Sequence, residues 1–193
     1  HSVGEYAALY AAGVISFKDG VRAVHFRGKF MQEAVPAGMG KMFAIMRANE
    51  EIVRHACLAN SNEQEQVMPA NFNDPEQIVI SGHAAACDKT VEWLKINGGE
   101  RMRAIELKVS APFHSSLMKP AALKLKNVLD EIKLAENNLP YLANINAKLY
   151  SANTNTNVIK DNLIAQVAGS VLWTQSMQQL SSDTLCLEVG PGK

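Results

Sequence analysis

Apolar residues recur every three or four positions through much of the chain, and elsewhere the pattern changes to short apolar runs bounded by turn residues. The stretch VGEYAALYAAG after Ser2 is rich in Ala and Leu, and Gly13 stands where a left-handed cap closes a helix. A second helix is expected over Ser16–Val35, because Phe17, Val21, Val24, Gly28, Met31 and Val35 fall on one stripe. Phe26 and Phe30 project elsewhere, so this helix should be covered on more than one side. The glycines of PAGMGK then break the chain.

Residues 41–110 change character. KMFAIM reads as a strand, NEEIVRHACLAN as a helix capped by Asn49, and EQVMPANFN as a second strand. After the NDPEQ turn come the strand IVISG, the helix AAACDKTVEWLKING and the strand ERMRAIELKVS. That βαββαβ order predicts a ferredoxin-like subdomain. Beyond it, SSLMKPAALKLKNVLDEI predicts a helix with Leu117, Leu125, Val128 and Leu129 as its apolar positions and Pro120 in its first turn. LPYLANINAKLY and TLCLEV read as strands, with NVIKDNLIAQVAGSV and TQSMQQL as helices between them. The flanks, 1–40 and 111–193, thus form one α/β layered domain that the insert divides. Asn144, Asn146 and the GPG triplet read as turn chemistry.

Composition narrows the function classes. The chain has 193 residues, 47% hydrophobic, and balances 19 Lys and Arg against 19 Asp and Glu. No global field therefore points to nucleic acid or a membrane. No apolar run reaches the roughly 18 residues of a bilayer span, and no charged-then-apolar leader is expected from the residues before the first helix. Cys57, Cys87 and Cys186 lie far apart without metal-ligand spacing, and their odd number opposes a disulfide framework, so a reducing cytoplasm is expected. His55 and His83 read as surface or cap residues, Met42, Met46 and Met68 as core filling, and no metal site is expected. Both ends fall inside motifs, HSVGE and EVGPGK, so a longer chain is expected around this sequence.

Candidate chemistry lies at a helix start, within a helix and on a loop. Ser2 precedes a helix, where free amides and the helix dipole stabilise an oxyanion. It reads either as an N-cap, forming an S-x-x-E capping box with Glu5, or as the nucleophile of a G-x-S-x-G elbow. Arg27 falls among apolar positions of the second helix, suited either to a structural ion pair or to gripping a carboxylate. His114, in SAPFHSSLMKPA, follows Pro112 on a loop, as a helix cap or as a general base.

Taken together and in order, HSVGEYAAL, RGKFMQEAV, NFNDPEQIVISG, SAPFHSSLMKPA and EVGPGK resemble the malonyl-CoA:acyl carrier protein transacylases of type II fatty acid synthesis. The resemblance covers essentially the whole chain and favours chemistry at Ser2 and His114. It implies an α/β-hydrolase-like acyltransferase core interrupted by the ferredoxin-like subdomain. It makes Ser2 the nucleophile, His114 the base and acid, and Arg27 the grip on the malonyl carboxylate. Val3 would lend its amide to the oxyanion hole, Gln166 would orient the histidine through its backbone carbonyl, and Met31 and Phe113 would line the acyl site. The implied partners are malonyl-CoA, a substrate, and acyl carrier protein, with no cofactor. The family's leading segment, including a loop that supplies a second oxyanion amide, is not in this sequence. Rival readings are a Ser-His thioesterase or hydrolase, an inert scaffold, and the acyltransferase domain of a polyketide synthase. A Ser-acid-His hydrolase would need an acid between Ser2 and His114, where Asp19, Asp74 and Asp88 have no catalytic context.

Overall fold

A computed structural model describes residues 1–190; the last three residues of the EVGPGK motif lie outside the described residues. The chain runs α1 (Gly4–Ala11), α2 (Phe17–Gln32), β1 (Gly40–Met46), α3 (Glu50–Ala59), β2 (Val67–Asp74), β3 (Gln77–His83), α4 (Ala84–Asn97) and β4 (Arg103–Glu106). A short 3-10 turn (Ser116–Met118) then leads into α5 (Lys119–Asp130), β5 (Tyr141–Leu142), β6 (Leu149–Tyr150), α6 (Thr156–Ala168) and α7 (Trp173–Met177).

The first four strands form an antiparallel sheet in the order β2-β3-β1-β4. Alternate residues of β1 face opposite sides. Phe43 and Ile45 join Phe72, Ile78 and Ile80 beneath α3 and α4, while Met42 and Ala44 join Ala70 and Val79 on the other face, where Phe113 packs. Asn49 caps α3 by accepting from the Glu51 N–H, as its position before NEEIV predicts. At Gly82 a Cβ would stand 2.1 Å from the Gln66 carbonyl oxygen and 2.6 Å from Val67 Cα. Gly82→Ala should therefore spread the β2–β3 pair and cost about 2–3 kcal/mol; an unchanged denaturant midpoint would contradict this close approach.

The second core gathers α1, α2, α5 and α6 around Leu9, Met31, Leu125, Leu129, Ile159 and Leu163. Each such side chain contributes roughly 1.5–3 kcal/mol by leaving water. The parts meet where the Gly169–Leu172 turn lies along β2: the Phe72 N–H donates to the Val171 carbonyl, and the Val171 N–H to that of Ala70.

Three expectations are corrected. The buried face of α2 is Ala23, Arg27 and Met31, not the stripe that begins at Phe17 and Val21, which are 70% and 55% exposed. The inward face carries a small residue and a charged one, so hydropathy alone selects the wrong side. The second helix also ends at Gln32, three residues before Val35. Finally, TLCLEV forms no strand: Leu185, Leu187 and Val189 are 97%, 85% and 80% exposed, and no strand among the described residues lies beside them to complete a ladder.

Candidate active site

Ser2 sits in the turn that starts α1, with the Gly4 N–H donating to the His1 carbonyl at 3.0 Å. Its φ is +49°, and that of His114 is +56°. Left-handed conformations at residues other than glycine cost on the order of 1 kcal/mol or more and persist where surroundings over-determine them. Both backbone groups of Ser2 are held: its N–H donates to Asn144 Oδ1 at 2.6 Å, and its carbonyl accepts from Gln166 Nε2 at 3.0 Å.

Of the two readings of Ser2, the capping box does not form. Val3 occupies the cap position, with no side-chain cap bond, and Ser2 Oγ points away from the helix amides. Instead Oγ lies 2.8 Å from His114 Nε2 and accepts from Arg27 Nη2 at 2.7 Å. His114 Nδ1 lies 2.9 Å from the Gln166 carbonyl oxygen, which can only accept. The ring proton therefore sits on Nδ1, and Nε2 is left to accept the Ser2 hydroxyl proton. The group facing His114 Nδ1 is thus a backbone carbonyl, and no carboxylate stands there. Asp19 donates its N–H to the Ser16 hydroxyl that caps α2, Asp74 turns the β2–β3 hairpin and Asp88 pairs with Lys41.

Arg27 is 7% exposed, and its ring neighbour is Tyr6, 6.0 Å from the guanidinium carbon. Its hydrogen bonds go to Ser2 Oγ and to Gln166 Oε1 at 3.1 Å, both neutral. Its Nε has no partner, and among the described residues it forms no ion pair. Burial pulls its pKa below the usual arginine value. Glu5, a carboxylate on the inward face of α1, accepts from the Asn144 N–H at 3.1 Å and from Gln166 Nε2 at 2.7 Å. Burial pushes its pKa up.

His114 is held neutral by burial, with the Arg27 charge adding to the effect, and its pKa is pushed down from 6.5 to about 4. Between those values the unfolded chain binds a proton that the folded chain refuses, so stability falls as pH drops from 6.5 towards about 4 and levels off below. An NMR titration of the His114 ring should show a midpoint near 4; one near 6.5 would mean that water reaches the imidazole freely.

Of the residues singled out in the sequence, Ser2, His114, Arg27 and Gln166 share this one hydrogen-bonded cluster. The Val3 N–H adjoins Ser2 and has no hydrogen-bond partner among the described residues. Met31 is buried one turn beyond Arg27, and Phe113 is half-buried beside His114; both belong to the apolar surround. Glu5 and Asn144 were missed. Glu5 carried a signal, since it shares the inward stripe of α1 with Leu9, where a carboxylate is out of place. Asn144 carried none, because its contact with Ser2 spans 142 positions. No three His, Cys, Asp or Glu side chains gather as metal ligands among the described residues, and none of their helices is long and apolar enough to cross a membrane.

The model of one protein family, described as an acyl transferase domain, matches residues 1–183. The chain belongs to the acyl transferase domain family. This acyl transferase chain is 45% identical over its whole length to a malonyl CoA-acyl carrier protein transacylase of Bacillus subtilis, and 43% identical to that of Escherichia coli K12. It spans 60% and 61% of the lengths of those two relatives. Among solved structures, an acyl carrier protein S-malonyltransferase of Vibrio cholerae superposes with a TM-score of 0.86 at 41% identity, over 93% of this chain and 56% of the other. A malonyl-transacylase in complex with its type II PKS acyl-carrier protein gives 0.85 at 40% identity, again over 93% and 56%.

Proposed function

We propose that the protein carrying this chain moves a malonyl group from malonyl-CoA to the phosphopantetheine thiol of acyl carrier protein, supplying extender units for fatty acid synthesis. The observation that carries this reading is Arg27: a buried cation, bonded only to neutral oxygens, 2.7 Å from the candidate nucleophile. A buried charge needs a partner, and a substrate carboxylate on the acyl group would supply it. The names of the relatives point to the same substrate pair.

Ser2 Oγ attacks the thioester carbonyl while His114 Nε2 takes its proton. The C–O bond forms and the carbonyl electrons move onto oxygen, where the Val3 N–H at the start of α1 stabilises the charge. Collapse breaks the C–S bond, and His114 returns the proton to the departing CoA sulfur. The carrier thiol then repeats these steps in the opposite sense on the malonyl ester. Arg27 selects a dicarboxylic acyl group and also polarises Oγ, lowering the cost of deprotonation. The Gln166 carbonyl stabilises the Nδ1–H of the imidazolium, and Met31 and Phe113 line the acyl group. The chemistry balances without a cofactor.

In this reading, residues 1–40 and 111–193 belong to an α/β-hydrolase-like acyltransferase core, and 41–110 form a ferredoxin-like subdomain set into it. The cytoplasm is its place, where thiols such as Cys57 and Cys87 stay reduced. The test is the intact mass of the protein after incubation with malonyl-CoA, followed by addition of acyl carrier protein. A malonyl adduct discharged by the carrier much faster than by water is expected; equal discharge by water would indicate a hydrolase.

A further inference from the structure

Resting on the acyl-transfer reading above, we propose that the side chain of Gln166 determines specificity by standing between the buried carboxylate of Glu5 and the buried guanidinium of Arg27. It thereby keeps the Arg27 charge unpaired for an acyl group that brings its own carboxylate. The resemblance uses only the backbone carbonyl of this residue.

Gln166 lies on the inward stripe of α6 with Ile159 and Leu163 and is 0% exposed. Its Nε2 faces acceptors only: Glu5 Oε2 at 2.7 Å, the Ser2 carbonyl at 3.0 Å and Asn144 Oδ1 at 3.5 Å. Its Oε1 faces a donor, Arg27 Nη2, at 3.1 Å. A flipped amide would set donor against donor at Arg27 and oxygen against carboxylate at Glu5, so one orientation is imposed. Glu5 is fixed in turn by the Asn144 N–H at 3.1 Å.

Without the bridge, a buried carboxylate and a buried guanidinium in one cluster would gain most by pairing directly. With it, each is hydrogen-bonded and neither is neutralised by the other. A substrate carboxylate then meets an uncancelled positive charge. A neutral acyl group leaves that charge unpaired.

The experiment compares acyl-adduct formation from malonyl-CoA and from acetyl-CoA in the whole protein. Gln166→Glu puts a carboxylate against Arg27 while keeping the backbone carbonyl for His114. It should lower the malonyl-to-acetyl rate ratio by about tenfold or more. Gln166→Met removes the amide bridge at similar length and leaves Glu5 to pair with Arg27; it should also lower the ratio, by about threefold or more, and Glu5→Gln added to it should restore the ratio. An unmoved ratio in Gln166→Glu, or a fall in Gln166→Met that Glu5→Gln does not reverse, overturns the proposal, because a merely structural role would not depend on the Glu5 charge.

Where Gln166→Glu fails to fold, a double-mutant cycle decides. Glu5→Gln should raise the ratio in Gln166→Met, where no bridge separates the two charges, and leave it within about threefold in the unmodified protein. The same effect in both backgrounds overturns the bridge. Should the unmodified protein form no adduct with either thioester, the acyl-transfer reading falls and this proposal with it. An adduct whose ratio ignores Gln166→Glu overturns this proposal alone.

Discussion

A protein with Ser2→Ala should take up no malonyl group from malonyl-CoA, a loss of at least about 10⁴-fold in adduct formation. The hydroxyl that His114 Nε2 faces at 2.8 Å is the only nucleophile in the cluster, and nothing replaces it when Oγ is deleted. His114→Ala should be nearly as damaging, although Arg27 would still polarise Oγ. Stability separates chemistry from folding here. Ser2 has a φ of +49°, which alanine tolerates poorly and glycine readily. Ser2→Gly should therefore melt at least as high as the unmodified protein and above Ser2→Ala, while both remain inactive. That pattern, strain kept where activity needs it, is the ordinary trade-off of an active site. A malonyl adduct surviving in either variant would place the nucleophile elsewhere.

How much of this was legible depended on whether a feature is local. The βαββαβ order was readable because KMFAIM and IVISG are short apolar runs bounded by turn residues, and because Asn49 announces the helix that follows it. The inward face of α2 was not, since Ala23 and Arg27 carry no hydrophobic signal and only the packing of neighbouring helices selects them. TLCLEV has the composition of a strand, but a ladder needs a second strand, which no property of six residues supplies. At the site, Ser2 stood out before a helix start, Arg27 among apolar positions and His114 on a loop, and the order of the five motifs joined them. What sequence could not join was the support beneath them. Glu5 looked like half of a capping box because its position three residues after Ser2 is right for one. Its partners, Asn144 and Gln166, lie 139 and 161 positions away. Asn144 looked like turn chemistry because asparagine suits turns; only in three dimensions does its amide oxygen hold the Ser2 N–H.

Arg27→Ala should reduce malonyl-adduct formation about 10²–10⁴-fold, the loss of a buried charge pair worth some 3–5 kcal/mol. Two roles are removed at once, and they separate by substrate. The bond from Nη2 to Ser2 Oγ at 2.7 Å assists deprotonation whatever the acyl group, so its loss slows malonyl and acetyl alike. Pairing with a carboxylate concerns malonyl only. Acetyl loading should gain in compensation, because a neutral acyl group no longer strands a buried guanidinium. The malonyl-to-acetyl ratio therefore falls further than the overall rate, and a ratio that stays constant would reduce Arg27 to an activator of Ser2. Arg27→Lys should fall between, keeping the charge but not the fork that spans both carboxylate oxygens. A second measurement reads the same charge from the other side: the Arg27 cation is one cause of the depressed His114 pKa, so the His114 midpoint should rise from about 4 in Arg27→Ala. Burial remains the larger cause, and that rise should stop short of 6.5. A midpoint that does not move would mean that the guanidinium charge is not felt at the base.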